Sequence, residues 1–325
     1  PLVGAAALRY NIILRIKRKW GAHMYYLGID LGGTNIAAAA VDENGRILGR
    51  CSRPTPKAGP AAVADDMAAA VREAAAQAAL SVEGAEGIGL GSPGTVDPDT
   101  GVIHYWSNLD FRNVPISALL EERLGRGVDL ENDANAAALG EFVAGAGRGS
   151  ASLVAVTLGT GVGGGAVLGG KLYTGFNHAG MEIGHFVLQQ GGRPCTCGRQ
   201  GCFEAYCSAT ALIKRTREVM GLPAANGRTA FEAAGAGDPK AKAVVEEYIS
   251  YLGGGIASLV NIFQPEVLCL GGGIANQGEA LLAPLREILD REDYARNQIR
   301  RTRLVRAELG NDAGIIGAAL LSRFR

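Results

Sequence analysis

The chain is predicted to be an α/β protein of two related domains, and three observations carry that expectation. Its 325 residues exceed what a single compact core usually organises. Short apolar runs that read as strands alternate with alanine-rich stretches of helical period. One arrangement, two strands joined by a turn of small residues that includes threonine, occurs near residue 30 and again near residue 160.

Composition narrows the function classes. Hydrophobic content of 47% and charged content of 20% are those of an ordinary globular protein. The 32 basic and 32 acidic side chains cancel, so no general pull on nucleic acid or on an anionic membrane is expected. No apolar run reaches the roughly 18 residues of a membrane span. The 48 glycines fall in clusters, which points to loops needing positive φ or a close ligand approach.

Residues 1–23 are read as an N-terminal extension outside the fold. Arg9, Arg15, Lys17, Arg18 and Lys19 interrupt its apolar residues, the reverse of a signal peptide's order. A basic amphipathic helix on a membrane surface is the alternative. Strands are expected at 24–31 and 36–41, with Asp30, Gly32, Gly33, Thr34 and Asn35 around the turn. Backbone N–H groups of such a turn can face a phosphate. The Asp30 carboxylate would repel that phosphate unless a cation lay between them, and Mg²⁺ held through water is the economical answer. No G-K-[ST] follows, so this is not a Walker loop.

A third strand is expected at 46–53, a helix at 61–80 and a buried strand at 87–91. Loops follow at 92–97 and 106–109, then a helix at 117–124 and a short strand at 128–130. That strand delivers Glu131, Asn132 and Asp133 to a helix at 134–143. The plain reading of Asp133 is a cap or first-turn acid that stabilises by ~1 kcal/mol. The functional reading is a carboxylate where open α/β sheets bind ligands.

The second hairpin spans strands at 152–158 and 166–169, with Thr157, Gly159, Thr160 and Gly161 leading a glycine-rich turn. Helices are expected at 208–220, 239–252 and 253–263, then a strand at 267–270 ending in Gly271, Gly272 and Gly273. These glycines suit approach to a base or ribose, or a simple tight turn. A helix at 281–289, a strand at 303–307 and a closing helix at 311–322 complete the chain.

Between the second hairpin and the later helices, residues 178–207 hold two of the four histidines and four of the six cysteines. His185, Cys195, Cys197 and Cys202 stand as H-x9-C-x-C-x4-C. Three thiolates and one imidazole suit a tetrahedral Zn²⁺, closed by four protein ligands and therefore structural. Disulfide pairing is the alternative, but nothing else in the chain looks secreted. Cys51 and Cys207 are read as ordinary thiols.

Taken in order, D-L-G-G-T-N, G-S-P-G, E-N-D-A-N-A-A-A-L-G-E, T-L-G-T-G-V-G-G-G, G-M-E-I-G-H, C-x-C-G-x-x-G-C-x-E and L-G-G-G-I resemble the ROK family of the actin-like, sugar-kinase superfamily. The resemblance runs from residue 24 to about residue 322. It implies two ribonuclease-H-like α/β domains flanking a cleft, a small one at 24–138 plus 311–325 and a large one at 139–310 carrying the zinc knuckle, 185–202. It also implies ATP-dependent phosphorylation of a hexose, with Asp133 as general base. Gly94, Asn108, Asn132, Glu182, His185 and Glu204 would face the sugar. Asp30 would serve Mg²⁺, and the two turns together with Gly271, Gly272 and Gly273 would serve ATP. E-N-D at 131–133 resembles the glucokinase branch, so glucose is the expected substrate. N-acetylmannosamine or another hexose is the alternative. A sugar-responsive repressor shares the family fold, but the 23 residues before Met24 are too few for its helix-turn-helix module. A cytoplasmic homodimer is the family expectation.

Overall fold

In a computed structural model, which describes residues 24–324, Tyr25–Leu31 (β1) folds back on Asn35–Asp42 (β2), which pairs antiparallel with Ile47–Pro54 (β3). The expectation for residues 1–23 lies outside the described residues. Ile88–Ser92 (β4) joins β1 in parallel, and Asp129–Asn132 (β8) completes the order β3-β2-β1-β4-β8. The second sheet repeats this plan. Leu153–Leu158 (β9), Val162–Leu168 (β10) and Lys171–Tyr173 (β11) form an antiparallel meander. Val267–Gly271 (β12) and Arg303–Arg306 (β13) extend it in parallel, giving β11-β10-β9-β12-β13. The same topology twice is the structural counterpart of the repeated hairpin motif.

Contacts divide the chain into two compact units, one ending at Glu131 and rejoined by Ala318–Arg323, the other Asn132–Gly317 with Phe324. Residue 138, the expected boundary, lies inside the helix Asp133–Ala144, which packs on β9 and β10 of the second unit. In the first unit the helix Pro60–Gln77 covers β2 and β3 and meets the helix Ile116–Leu124. Leu27, Ile29, Leu31, Ile36, Met67 and Leu90 are fully buried there. In the second unit, Val154, Val156, Leu158, Leu252, Ile256 and Leu270 occupy the corresponding core. Among the described residues, no helix is long and apolar enough to cross a membrane.

Several elements differ from the sequence expectation, among them β11 and the early start of β10 within the run read as a turn. The segments read as loops contain a small antiparallel sheet of Thr95–Asp97 (β5), Val102–Trp106 (β6) and Phe111–Val114 (β7). A helix at Thr229–Gly235 was not expected. The two helices expected at 239–252 and 253–263 are one, Pro239–Phe263, started by Asp238, whose carboxylate accepts from the N–H groups of Lys240 and Ala241.

Three glycines in the middle of that helix read as a break, because each costs ~1 kcal/mol relative to alanine. The structure shows what two of them provide. A Cβ at Gly255 would overlap the ring of Phe203, and one at Gly253 would come within 2.6 Å of Ile288 Cδ1. Gly254 has open space. Gly254→Ala should therefore stabilise the protein by ~0.5–1 kcal/mol. Gly255→Ala should destabilise it by ~1–3 kcal/mol, because overpacking exceeds the propensity gain. Urea denaturation midpoints check the opposite signs; shifts of equal sign contradict the packing account.

Candidate active site

In the first unit, the β1–β2 turn is held from beneath. Thr55 donates its hydroxyl to Gly32 O at 2.7 Å and its N–H to Thr34 O at 3.0 Å. Asn35 Nδ2 donates to Ser52 Oγ at 2.6 Å. Gly33 and Thr34 stand outside the strand ladder, with Thr34 and Asn35 exposed. Asp30, half-buried, stands on β1 two residues before the turn. Asn108 lies on a short 3₁₀ turn, Ser107–Leu109, and its side-chain amide would be 3.0 Å from a Cβ at Gly33. Gly94 has φ of 89°, and a Cβ there would overlap Tyr105 O, so glycine is needed on both counts. The structure thus brings Asn108 to the turn formed by Gly32, Gly33, Thr34 and Asn35.

In the second unit, the glycine-rich run serves a purpose that the sequence reading missed. None of Gly161, Gly163, Gly164 and Gly165 has positive φ. They are small because other segments press on the strand. A Cβ at Gly165 would lie 2.6 Å from Ala138 Cβ and 2.8 Å from Ala134 O, and one at Gly163 would be 3.5 Å from Ala134 Cβ. The helix that starts at Asp133 therefore sits against β10. On the alternate face, a Cβ at Gly164 would overlap Ile183 Cδ1, which follows Glu182. A Cβ at Gly161 would overlap Glu204 Oε2. The glycines from Gly161 to Gly165 gather the segments carrying Asp133, Glu182, His185 and Glu204.

The turn between β9 and β10 has its carbonyls engaged. Gly159 O accepts from Ala209 N–H at 2.8 Å, Thr160 O from the Thr210 hydroxyl at 2.7 Å, and Gly161 O from Gly159 N–H at 3.0 Å. In a trans peptide the N–H points opposite the preceding carbonyl, so the Thr160 and Gly161 amides point away from Ala209 and Thr210. That is the donor pair an anion could use. Thr157 lies on β9, and its Cγ2 would be 3.8 Å from a Cβ at Gly271. Gly272 has φ of 82° and faces Leu158 O, so a side chain is excluded, whereas Gly273 has open space. A cavity of about 370 Å³ adjoins these three glycines, and one of about 600 Å³ lies beside Thr160, Gly161 and Glu204.

Asn132, not Asp133, caps the helix Asp133–Ala144. Its Oδ1 accepts from Ala134 N–H at 2.9 Å and Asn135 N–H at 3.3 Å. Of the two plain readings of Asp133, the cap does not hold and the first-turn acid does: Asp133 is the first helical residue, with Oδ1 2.8 Å from Ala134 N. Burial pushes its carboxyl above the ordinary range, and hydrogen bonds from the backbone N–H groups of Ala134 and Asp133 offset only part of that.

The four expected ligands converge. A ring nitrogen of His185 and the sulfurs of Cys195, Cys197 and Cys202 lie within 4.8 Å of one another. Cys195 Sγ is 3.8 Å from His185 Nδ1, and Cys197 Sγ is 3.7 Å from Cys202 Sγ. A tetrahedron with metal–sulfur bonds of about 2.3 Å has sulfur–sulfur edges of about 3.8 Å, so the residues fit zinc. Burial, with the neighbouring thiols of Cys197 and Cys195, pushes the Cys202 thiol up to about 11. A cation is what would release that proton. The loop is rooted by Arg193, whose guanidinium pairs with Glu247 at 2.5 Å and lies over the Tyr206 ring. Burial disfavours ionised Glu247, yet hydrogen bonds from Arg215 and Arg193 prevail and hold its carboxyl below the ordinary range.

Glu204 departs from the simple expectation of a free sugar acceptor. Its Oε2 accepts from Val162 N–H at 2.9 Å, and its Oε1 accepts from the Thr196 hydroxyl at 3.3 Å. It links the cysteine loop to the β9–β10 turn, a tie across 42 residues that no local pattern announces. Glu182 is exposed and follows Met181, whose φ of 63° is rare for a residue with a side chain.

Comparison with known proteins adds a second line of observation. The model of the ROK family matches residues 26–324. The chain is 39% identical to a glucokinase of Thermotoga maritima over 92% of its own length and 97% of that protein's. It resembles the crystal structure of a ROK hexokinase from Thermus thermophilus, with a TM-score of 0.83 and 42% identity over 92% of this chain and 97% of that one. A ROK family glucokinase from Streptomyces griseus, solved with glucose and AMPPNP, is similar with a TM-score of 0.73 and 36% identity over 92% and 99%.

The raised carboxyl of Asp133 has a stability consequence. Below the ordinary carboxylate range both folded and unfolded chains hold the proton, and the residue carries no penalty. The penalty grows as pH rises through that range and is fully present above the raised folded value. Asp133→Asn should therefore gain stability relative to the parent progressively as pH rises above the ordinary carboxylate range. Denaturant midpoints at several pH values check this; a difference that stays flat contradicts it.

Proposed function

The chain belongs to the ROK family, in the actin-like ATPase class of mixed α/β folds, and from that membership we propose that it transfers the γ-phosphoryl group of ATP to the 6-hydroxyl of glucose. The observation that carries this reading is the Asp133 carboxylate. It starts a helix packed on the strand that ends the second turn, and burial has raised its basicity.

In the proposed reaction, Asp133 takes the proton of the sugar hydroxyl as that oxygen attacks the γ-phosphorus. The new O–P bond forms while the bond to the β–γ bridging oxygen breaks, and ADP carries away that electron pair. A positioned base of this kind contributes a factor of about 10²–10⁴. Phosphoryl transfer depends on positioning and charge neutralisation more than on covalent help. The amides of Thr160 and Gly161 would neutralise phosphate from the second unit, and those of Gly33 and Thr34 from the first. Asp30 would hold Mg²⁺, which neutralises phosphate charge when bound. Gly271, Gly272 and Gly273 would serve the nucleoside.

Glucose recognition is assigned to Asn108, Asn132, Glu182, His185 and Glu204, with Gly94 supporting. His185, Cys195, Cys197 and Cys202 would hold Zn²⁺, whose contribution is to fix loop geometry. With Nδ1 on the metal side, the His185 Nε2 is left to meet a sugar hydroxyl. Glu204 Oε1 lies within reach of both the Thr196 hydroxyl and the Cys195 thiol, whereas Oε2 accepts from Val162 N–H and has a second lone pair to offer. A cytosolic homodimer completes the proposal.

ADP release measured across a sugar panel tests the substrate. Glucose should give the highest kcat/KM; turnover of N-acetylmannosamine without turnover of glucose would overturn the assignment. Asp133→Asn should bind glucose within about threefold of the parent while kcat falls by about 10²–10⁴. Parent-like turnover would remove Asp133 from the base role.

A further inference from the structure

Glu141 is a buried carboxylate that the proposed reaction does not use. It is 3% exposed, near the end of the helix that Asp133 begins, two turns and about 12 Å along the axis. Three backbone N–H groups point at it. Ala146 donates to Oε2 at 2.9 Å, Glu308 to Oε2 at 3.0 Å and Leu309 to Oε1 at 2.8 Å. The first belongs to the loop that ends its own helix. The other two belong to the segment after β13, which leads into the helix Asp312–Ala319.

Those two helices touch backbone to backbone. A Cβ at Gly140 would overlap Ala313 O, and one at Gly317 would overlap Ala136 O. Glu141 also lines the cavity bounded by Gly271, Gly272, Gly273 and Asn311. One carboxylate therefore sets the helix of Asp133 in register with the segment beside the glycine loop. Burying a carboxylate is unfavourable unless hydrogen bonds compensate, and three charge-assisted bonds to two separate segments do so only in one arrangement. A glutamine keeps the shape but turns one acceptor into a donor facing a donor.

We propose that Glu141 is a positioning residue, clamping the base-bearing helix so that Asp133 is held at the reacting hydroxyl relative to the nucleotide. The proposal rests on the reading of Asp133 as base. An error of about 1 Å in such placement costs up to about a hundredfold in rate. Its signature is a split between chemistry and binding that lost stability alone does not produce.

Two variants test it. Glu141→Gln removes the charge, and Gly145→Ala leaves the charge but drives a methyl group into Glu141 Oε2. In each, kcat should fall about tenfold to a hundredfold. The dissociation constants for glucose and for a non-hydrolysable ATP analogue, read by calorimetry, should stay within about threefold of the parent. Should Glu141→Gln not fold, Gly145→Ala carries the test. A folded variant with kcat within twofold of the parent overturns the proposal, as does weakened binding with kcat retained. Asp133→Asn run in parallel separates the two readings. If it is active, the base assignment itself has failed; if it is inactive beside a normal Glu141→Gln, only the clamp has.

Discussion

Strand β10 leaves no room for side chains at Gly164 and Gly165, and the elements around it are assembled on that constraint. Strand geometry sends successive residues to opposite faces. Gly163 and Gly165 admit the helix of Asp133 on one face, while Gly164 admits Ile183 and the segment of Glu182 and His185 on the other. Gly161, one residue before the strand, admits the carboxylate of Glu204. A methyl group at Gly161, Gly164 or Gly165 would push one of these segments away, and one at Gly163 would press on Thr157 Oγ1. Glycine is unfavourable in a strand for lack of side-chain packing and excess chain entropy. Here the approach of three neighbouring segments compensates.

The cysteine loop answers a related need. A glycine-rich loop whose regular structure is limited to the short helical turns Ile183–His185 and Glu204–Cys207 and two isolated bridges cannot by itself hold His185 and Glu204 still. Two anchors restrict it. Arg193 binds it to Glu247 on the long helix, and four ligand atoms gather where a tetrahedral ion would hold them. Glu204 then carries that rigidity to the β9–β10 turn through Val162 N–H. On the proposed reading a bound metal would be structural in coordination, and its effect would reach sugar and phosphate alike. The Asp133 carboxyl, raised by burial, carries the other side of the proposal, since a group that would be poised for proton transfer is one that costs stability.

What could be read from sequence follows from the range of the interaction. The paired hairpins, the parallel strands and most helices were legible because their periodicity is local. His185, Cys195, Cys197 and Cys202 were legible because ligand chemistry constrains their spacing. The sheet of β5, β6 and β7 was not, since strands of three to five residues carry too little alternation. The helix Pro239–Phe263 was read as two because helix propensity sees three glycines, whereas packing sees Phe203 and Ile288. The bonds from Glu308 and Leu309 to Glu141 span 167 and 168 residues, beyond any local pattern. Adjacent candidates were also hard to separate. Asn132 and Asp133 both suit a cap, and only backbone geometry assigns that task to Asn132.

The central claim is that the metal-held loop orients the sugar-binding groups, and one measurement addresses it directly. Glucose affinity would be determined by calorimetry on zinc-loaded protein and on zinc-free protein shown by circular dichroism to remain folded. The account predicts that affinity falls at least tenfold when zinc is removed and returns when zinc is restored. Equal affinity in the two folded forms would contradict it.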